Sequence, residues 1–208
     1  METRRKKYKN ANLKHLYAKI RGGHVTRYHT RPELTNGQNV AAHTWRAMVI
    51  LHTLWPEASK NCLLHMMYHD VAEIAVGDLP ATTKWNYSEV HSILKRIEND
   101  FESSIGIGEL FIPITVEEAK ACDAADKLEL VLHCYELITQ GNKSAVDVMN
   151  RGIRYLKEKY PHEKQVNRAL KMINKHGPLC FVGYIYHSKQ YNLERIYYGK
   201  AKKQKRRR

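Results

Sequence analysis

No stretch of the chain reaches eighteen consecutive apolar residues, so no membrane span is expected. No apolar segment follows the basic N-terminus, so a secretory signal is not expected either. Cysteine is scarce and scattered. Cys62, Cys122, Cys134 and Cys180 lack the paired spacing of a thiolate metal site. The first three sit in apolar, helix-patterned surroundings and read as reduced core thiols of an intracellular protein. There is no internal repeat, and no low-complexity linker apart from the C-terminal tail. The 208 residues therefore fit one domain with a proper core.

Acidic residues are in the minority, 21 against 35 Lys and Arg, for a net charge of +14. That excess points to nucleic acid until it is located. Residues 1–9 carry a net +4 and residues 200–208 a net +7, which leaves +3 for the body. Short basic tails of this kind are usually solvated, and they add a weak, salt-sensitive attraction to polyanions.

What is present is helical patterning with clear punctuation, and the expected fold class is all-α. Leu13, Leu16, Tyr17 and Ile20 repeat at helical spacing up to Gly22-Gly23. Residues 24–39 read as a loop holding His24, Arg27, His29 and Arg31, either a surface segment or the wall of an anion site. A helix over Val40–Trp55 carries Thr44, Met48, Leu51 and Trp55 on one side and closes at Pro56. The next begins near Ser59 as N-cap and runs to Gly77, with Leu63, Met66, Met67, Val71 and Ile74 covering most of its circumference. A loop then runs from Asp78 to Lys84. Tyr87–Ile105 is amphipathic, with Val90, Ile93, Leu94, Ile97 and Phe101 inward. Thr115 and Glu118 form a capping box for the longest helix, which ends at Gly141. Two further helices are expected over 143–159 and 162–175. Residues 179–198, rich in Tyr, Ile and Phe, read as a hairpin or a packed strap.

The chemistry concentrates at His69-Asp70, inside the apolar run from Cys62 to Val76. An imidazole and a carboxylate buried there need partners, and a divalent cation is the simplest. The bland alternative is a core histidine capped by its neighbour. Three further residues weigh against it. His43 lies on the preceding helix. Asp126 sits in the small, apolar run Ala119–Leu132. Glu73 stands one turn beyond His69, within reach of a bound water. Asp123 reads as a possible surface charge, and Glu129 and Glu136 read as ordinary exposed charges. Two imidazoles and two carboxylates suit Mn, Fe, Co, Ni or Zn better than a thiolate or an all-oxygen site would. Glu73 is then the candidate to orient or deprotonate water. Arg27 and Lys84, on flanking loops, are the candidate clamps for a phosphoryl group.

The pattern resembles the HD-domain metal-dependent phosphohydrolases, with their H…HD…D signature. It is most similar to the bacterial 5'-deoxynucleotidases and the related small phage deoxynucleoside triphosphate triphosphohydrolases. The resemblance rests on Gln-Asn-Val-Ala-Ala-His at 38–43, on Tyr-His-Asp-Val-Ala-Glu-Ile-Ala-Val-Gly-Asp-Leu-Pro at 68–80, and on Asp126-Lys127-Leu128. It covers about residues 13–160. It implies an HD-domain helical bundle with His43, His69, Asp70 and Asp126 as ligands of a divalent transition metal. By the same resemblance Glu73 is the catalytic carboxylate, Asp78 binds the sugar or positions water, and Arg27 binds phosphate. Ala42 departs from the pattern, because relatives commonly carry Glu there. The expected activity is cleavage of the 5' phosphoester of deoxyribonucleotides. Monophosphates come first, with triphosphate hydrolysis as the alternative, since His24-Val-Thr-Arg resembles the base-side loop of phage dATP hydrolases. A nucleic-acid-associated protein using its basic tails is the rival of another class. The implied setting is cytoplasmic, in a host cell if the chain is phage-encoded, as a homo-oligomer. The expected division is a basic arm over 1–12, the HD domain over 13–177, an aromatic strap over 178–199 and a basic tail over 200–208.

Overall fold

The computed structural model describes residues 13–31, 34, 37–107 and 113–174. The arm, the strap and the basic tail lie outside the described residues. Among those described, the structure is all-α, with one isolated antiparallel bridge between Thr26 and Asn39. The helices are α1 (Leu13–Gly22), α2 (Val40–Leu54), α3 (Lys60–Tyr68), α4 (Glu73–Val76), α5 (Ala81–Asn86), α6 (Ser88–Ser104), α7 (Val116–Thr139) and α8 (Ala145–Lys159). A further helical run, α9, covers 164–174.

α7 is the centre of the bundle. Its Ala121, Cys122 and Ala125 pack against Ala47 and Leu51 of α2 and Cys62 and Met66 of α3. On another side its Ala124, Leu128 and Val131 meet Leu156, Tyr160, Val166 and Leu170. A helix packed on both sides needs small residues where neighbours approach, which accounts for the alanines of α7. The capping box at its start is present: Thr115 Oγ1 accepts from Glu118 N at 3.1 Å, and Glu118 accepts from Thr115 N at 3.0 Å. Ser59 caps α3 by accepting from Cys62 N.

Several expectations are corrected. The helix expected from Ser59 to Gly77 is broken after Tyr68. Tyr68 to Ala75 are joined by i→i+3 bonds: Val71 N to Tyr68 O at 3.1 Å, Glu73 N to Asp70 O at 3.0 Å and Ala75 N to Ala72 O at 2.9 Å. This tightened winding makes i and i+3 eclipse, so Glu73 falls in line with Asp70 rather than under His69. Gly77, at φ 79°, ends α4 in a conformation that glycine adopts without steric cost. The loop expected from Asp78 to Lys84 is helical from Ala81, where α5 begins.

Apolar spacing also failed to predict burial at both edges of the bundle. Leu13 is 75 % exposed, and Leu16, Tyr17 and Ile20 are likewise exposed on α1. On α6, Val90, Ile93 and Ile97 are exposed instead of inward, as is Met67 on α3. Periodicity fixes which side of a helix is apolar, but not whether another element lies over it. Here α1 and α6 touch the body through Ala18 and Phe101, beside Val71, Ile105 and Ile107.

Candidate metal centre

His43 belongs to the first turn of α2, which Asn39 caps by accepting from Ala42 N at 2.9 Å. His69 is the C-cap of α3, Asp70 opens the tight turn, and Asp126 faces them from mid-α7. The His43 and His69 Nε2 atoms stand 3.4 Å apart. Asp126 Oδ1 lies 3.1 Å from His43 Nε2 and 4.0 Å from His69 Nε2. Asp70 Oδ2 lies 3.5 Å and 3.2 Å from the same two nitrogens. His43 is fully buried, while the side chains of His69, Asp70 and Asp126 keep about a fifth of their surface exposed (19 %, 19 % and 20 %). The cluster is therefore closed at its base and open to solvent on one side.

The donor set fits a divalent cation. Ligand atoms of His43, His69 and Asp126 all lie within 4.8 Å of one another. The outer nitrogen of each imidazole is engaged: His43 Nδ1 with Glu129 Oε2 and His69 Nδ1 with the Met66 carbonyl, both at 2.7 Å. Carbonyls and ionised carboxylates only accept, so both Nδ1 atoms donate and both Nε2 atoms turn to the shared centre. Two lone pairs 3.4 Å apart repel unless a positive charge lies between them. That spacing suits two nitrogens sharing one ion at bond lengths of about 2.0–2.1 Å.

Electrostatics point the same way. Burial works against charge on His69, yet the Asp70 carboxylate outweighs it and pushes His69 up to about 9. His43 also rises: burial opposes this, and its bonds to Asp126 and Glu129 prevail. Burial would raise Asp70 and Asp126, but His69 and Arg27 hold the first far below the carboxylate range, and Lys127 and His43 hold the second there. The centre demands positive charge, and a proton or a metal ion meets that demand.

Glu73 is buried beside this group. Its Oε2 has no hydrogen-bond partner, and burial, then the Asp70 charge, push it up to about 8. Arg27 reaches into the cluster, with Nη1 2.5 Å from Asp70 Oδ2 and a buried Nε without a partner. Its loop is pinned where Asp78 Oδ2 accepts from Tyr28 N at 2.5 Å, with Tyr28 at φ 57° and its ring stacked on His133. Bonds from Val40 N to Val25 O and from Arg27 N to Gln38 O close the neck of the loop. Lys84, half-buried on α5, acts on Glu73 by its charge. His24 is exposed on the loop, and no contact brings it to the cluster. Asp123 stands apart, holding Tyr155, Tyr160 and Lys159.

Two residues at the centre escaped the sequence reading. Glu129, expected as an exposed charge, is fully buried against His43. Its signal was its place three residues after Asp126, between Leu128 and Leu130, in the mostly apolar run Leu128–Cys134. Lys127 Nζ holds Asp126 Oδ2 at 2.7 Å. Ala42 is exposed.

Residues 23–175 match the family described as 5'-deoxynucleotidase YfbR-like. The chain belongs to the YfbR-like 5'-deoxynucleotidase family. All the clustered residues lie inside the matched stretch, and the His/Asp centre is one in which a member of this family could hold a divalent metal. Curated relatives include a 5'-deoxynucleotidase of Vibrio vulnificus, 27% identical over 128 residues that make up 51% of this chain and 66% of the relative. One of Citrobacter koseri is 27% identical over 128 residues, 50% of this chain and 63% of the relative. One of Cronobacter sakazakii is 24% identical over 147 residues, 61% and 74% respectively. The chain thus spans somewhat under two thirds of the length of the first two relatives. No helix among the described residues is long and apolar enough to cross a membrane.

Proposed function

We propose that this protein hydrolyses the 5' phosphoester of deoxyribonucleoside monophosphates, yielding deoxynucleoside and phosphate. The observation that carries the reading is the convergence of His43, His69, Asp70 and Asp126 with Glu73 and Arg27 beside them, in a chain of the YfbR-like family. The four converging residues hold a divalent transition metal, one of Co, Mn, Zn, Fe or Ni by the chemistry of two imidazoles and two carboxylates. Such an ion, when bound, polarises a phosphoryl oxygen and acidifies water.

The chain's own groups do the rest. Arg27 steadies Asp70 and has further guanidinium N–H groups for the phosphate, and Lys84 adds a second positive charge. Glu73, buried beside Asp70 with an unpartnered Oε2, is the general base in its ionised form. It takes the proton from the attacking water as the new O–P bond forms and the bond from phosphorus to the 5' oxygen breaks, and it then passes that proton, directly or through a water, to the 5' oxygen, which returns Glu73 to its ionised form. The departing oxygen leaves protonated, as the deoxynucleoside. Asp78 shapes the site by holding the loop that carries Arg27, and in this reading it binds the sugar or helps to position the water. His24 would lie on the base side of that loop. The proposed catalytic body is 13–177, and a homo-oligomer is part of the same proposal, supported by the apolar residues left exposed on α1 and α6.

The experiment is turnover of all deoxynucleoside mono-, di- and triphosphates by metal-loaded and chelator-stripped protein, with the released product identified. The expected result is inorganic phosphate from monophosphates, lost on chelation and restored by metal. Release of triphosphate would move the reading to triphosphate hydrolysis. No turnover of any nucleotide would sink it.

A further inference from the structure

Glu129 is an unusual residue to find at the middle of a helical bundle. It has no exposure, and a buried carboxylate is costly unless both oxygens are paired. Both are paired here. Oε2 accepts a hydrogen bond from His43 Nδ1 at 2.7 Å. Oε1 accepts from Gln38 Nε2 at 2.9 Å and from Arg46 Nε at 2.7 Å. Arg46 in turn reaches Glu136 Oε2 at 2.7 Å, about two turns further along α7. Three segments thus meet on one side chain: the neck of the Arg27 loop, α2 and α7. Glu129 stands three residues after Asp126, so one stretch of α7 presents one carboxylate to each end of the His43 ring.

We infer that Glu129 is the positioning residue of the metal centre: it fixes the His43 tautomer and ring orientation so that Nε2 faces the ion. The inference rests on the metal centre proposed above and adds to it an acid outside the expected ligand set. A carboxylate behind a metal-binding imidazole also raises the basicity of the ligating nitrogen. An ion pair made solely for Arg46 would not need the bond to His43. The two roles are therefore separable.

The test titrates Co²⁺ into metal-free protein and follows its visible absorption, with Glu129→Gln and Arg46→Lys beside wild type. Glutamine keeps the shape but can turn an N–H toward Nδ1, which would force the opposite tautomer. Glu129→Gln is expected to weaken Co²⁺ binding by about 10- to 100-fold and to alter the absorption bands. Arg46→Lys, which keeps the positive charge, is expected to stay within a few-fold of wild type. A folded Glu129→Gln protein with wild-type affinity and spectrum overturns the inference. Should that variant not fold, nitrogen-15 histidine spectra of Zn²⁺-loaded wild type decide the matter. A proton retained on His43 Nδ1 supports the inference, and zinc bound through Nδ1 overturns it. Wild type that binds Co²⁺ but cleaves no nucleotide would sink the proposed activity and leave this inference standing. Wild type that binds neither ion would overturn both.

Discussion

Glu73 shows how one residue's surroundings set its chemistry. It is a carboxyl with little solvent, an unpartnered Oε2 and the Asp70 charge in line with it across the tight turn. Glu73→Gln is expected to retain metal and to lower turnover by about 10²–10⁴, the scale for loss of a general base. Metal content and rate measured on one preparation check this. Loss of metal would make Glu73 a ligand, and a surviving rate would remove it from the proton transfer. A stability effect follows from the same burial. Its folded pKa, about 8, lies above the ordinary carboxylate value of 4.5. The native state therefore holds this proton more tightly than the unfolded chain does. The associated stability is full below 4.5 and is lost as pH rises toward 8. In chelator-stripped protein, unfolding midpoints of wild type should fall more steeply than those of Glu73→Gln over that window. Parallel curves would contradict the assignment.

Among the elements, the break between α3 and α4 matters most. His69 keeps helical backbone angles as the C-cap of α3, its Nδ1 satisfies the Met66 carbonyl at the helix end, and the tightened turn that follows brings Glu73 into line with Asp70. α1 braces this turn from outside. A Cβ at Gly22 would lie 2.4 Å from Val71 Cγ2 and 2.8 Å from the Val71 carbonyl oxygen, directly after Asp70. Backbone on one side leaves little room to relax. Gly22→Ala should destabilise the fold by about 1–3 kcal/mol in denaturant titration, the usual cost of overpacking. An unchanged midpoint would show that α1 moves freely against the turn.

At the scale of the whole molecule, charge and chemistry are separated along the sequence. The proposed site lies within 24–129, whereas most of the positive excess lies in 1–9 and 200–208. Deleting 200–208 should leave turnover of free nucleotides within a few-fold and lessen any salt-sensitive retention on polyanions such as heparin. Loss of all activity in a folded truncation would make the tail part of the site.

The sequence by itself determined the all-α class, the capping of α3 and α7, the stop at Gly77 and the short set of residues to examine for a metal, because these depend on local spacing and on the chemistry of side chains a few positions apart. His69 and Asp70 stood out because they are costly in an apolar run. Glu129 did not, because its Gln38, His43 and Arg46 partners come from some 80 to 90 positions away and make an ordinary-looking acid a buried one. The same limit explains Val90, Ile93 and Ile97, whose spacing marks an apolar face but says nothing of whether a neighbour covers it. Only the tertiary structure decided which faces are covered, where the helix breaks and which acid stands behind His43, since each depends on contacts between segments far apart in the chain.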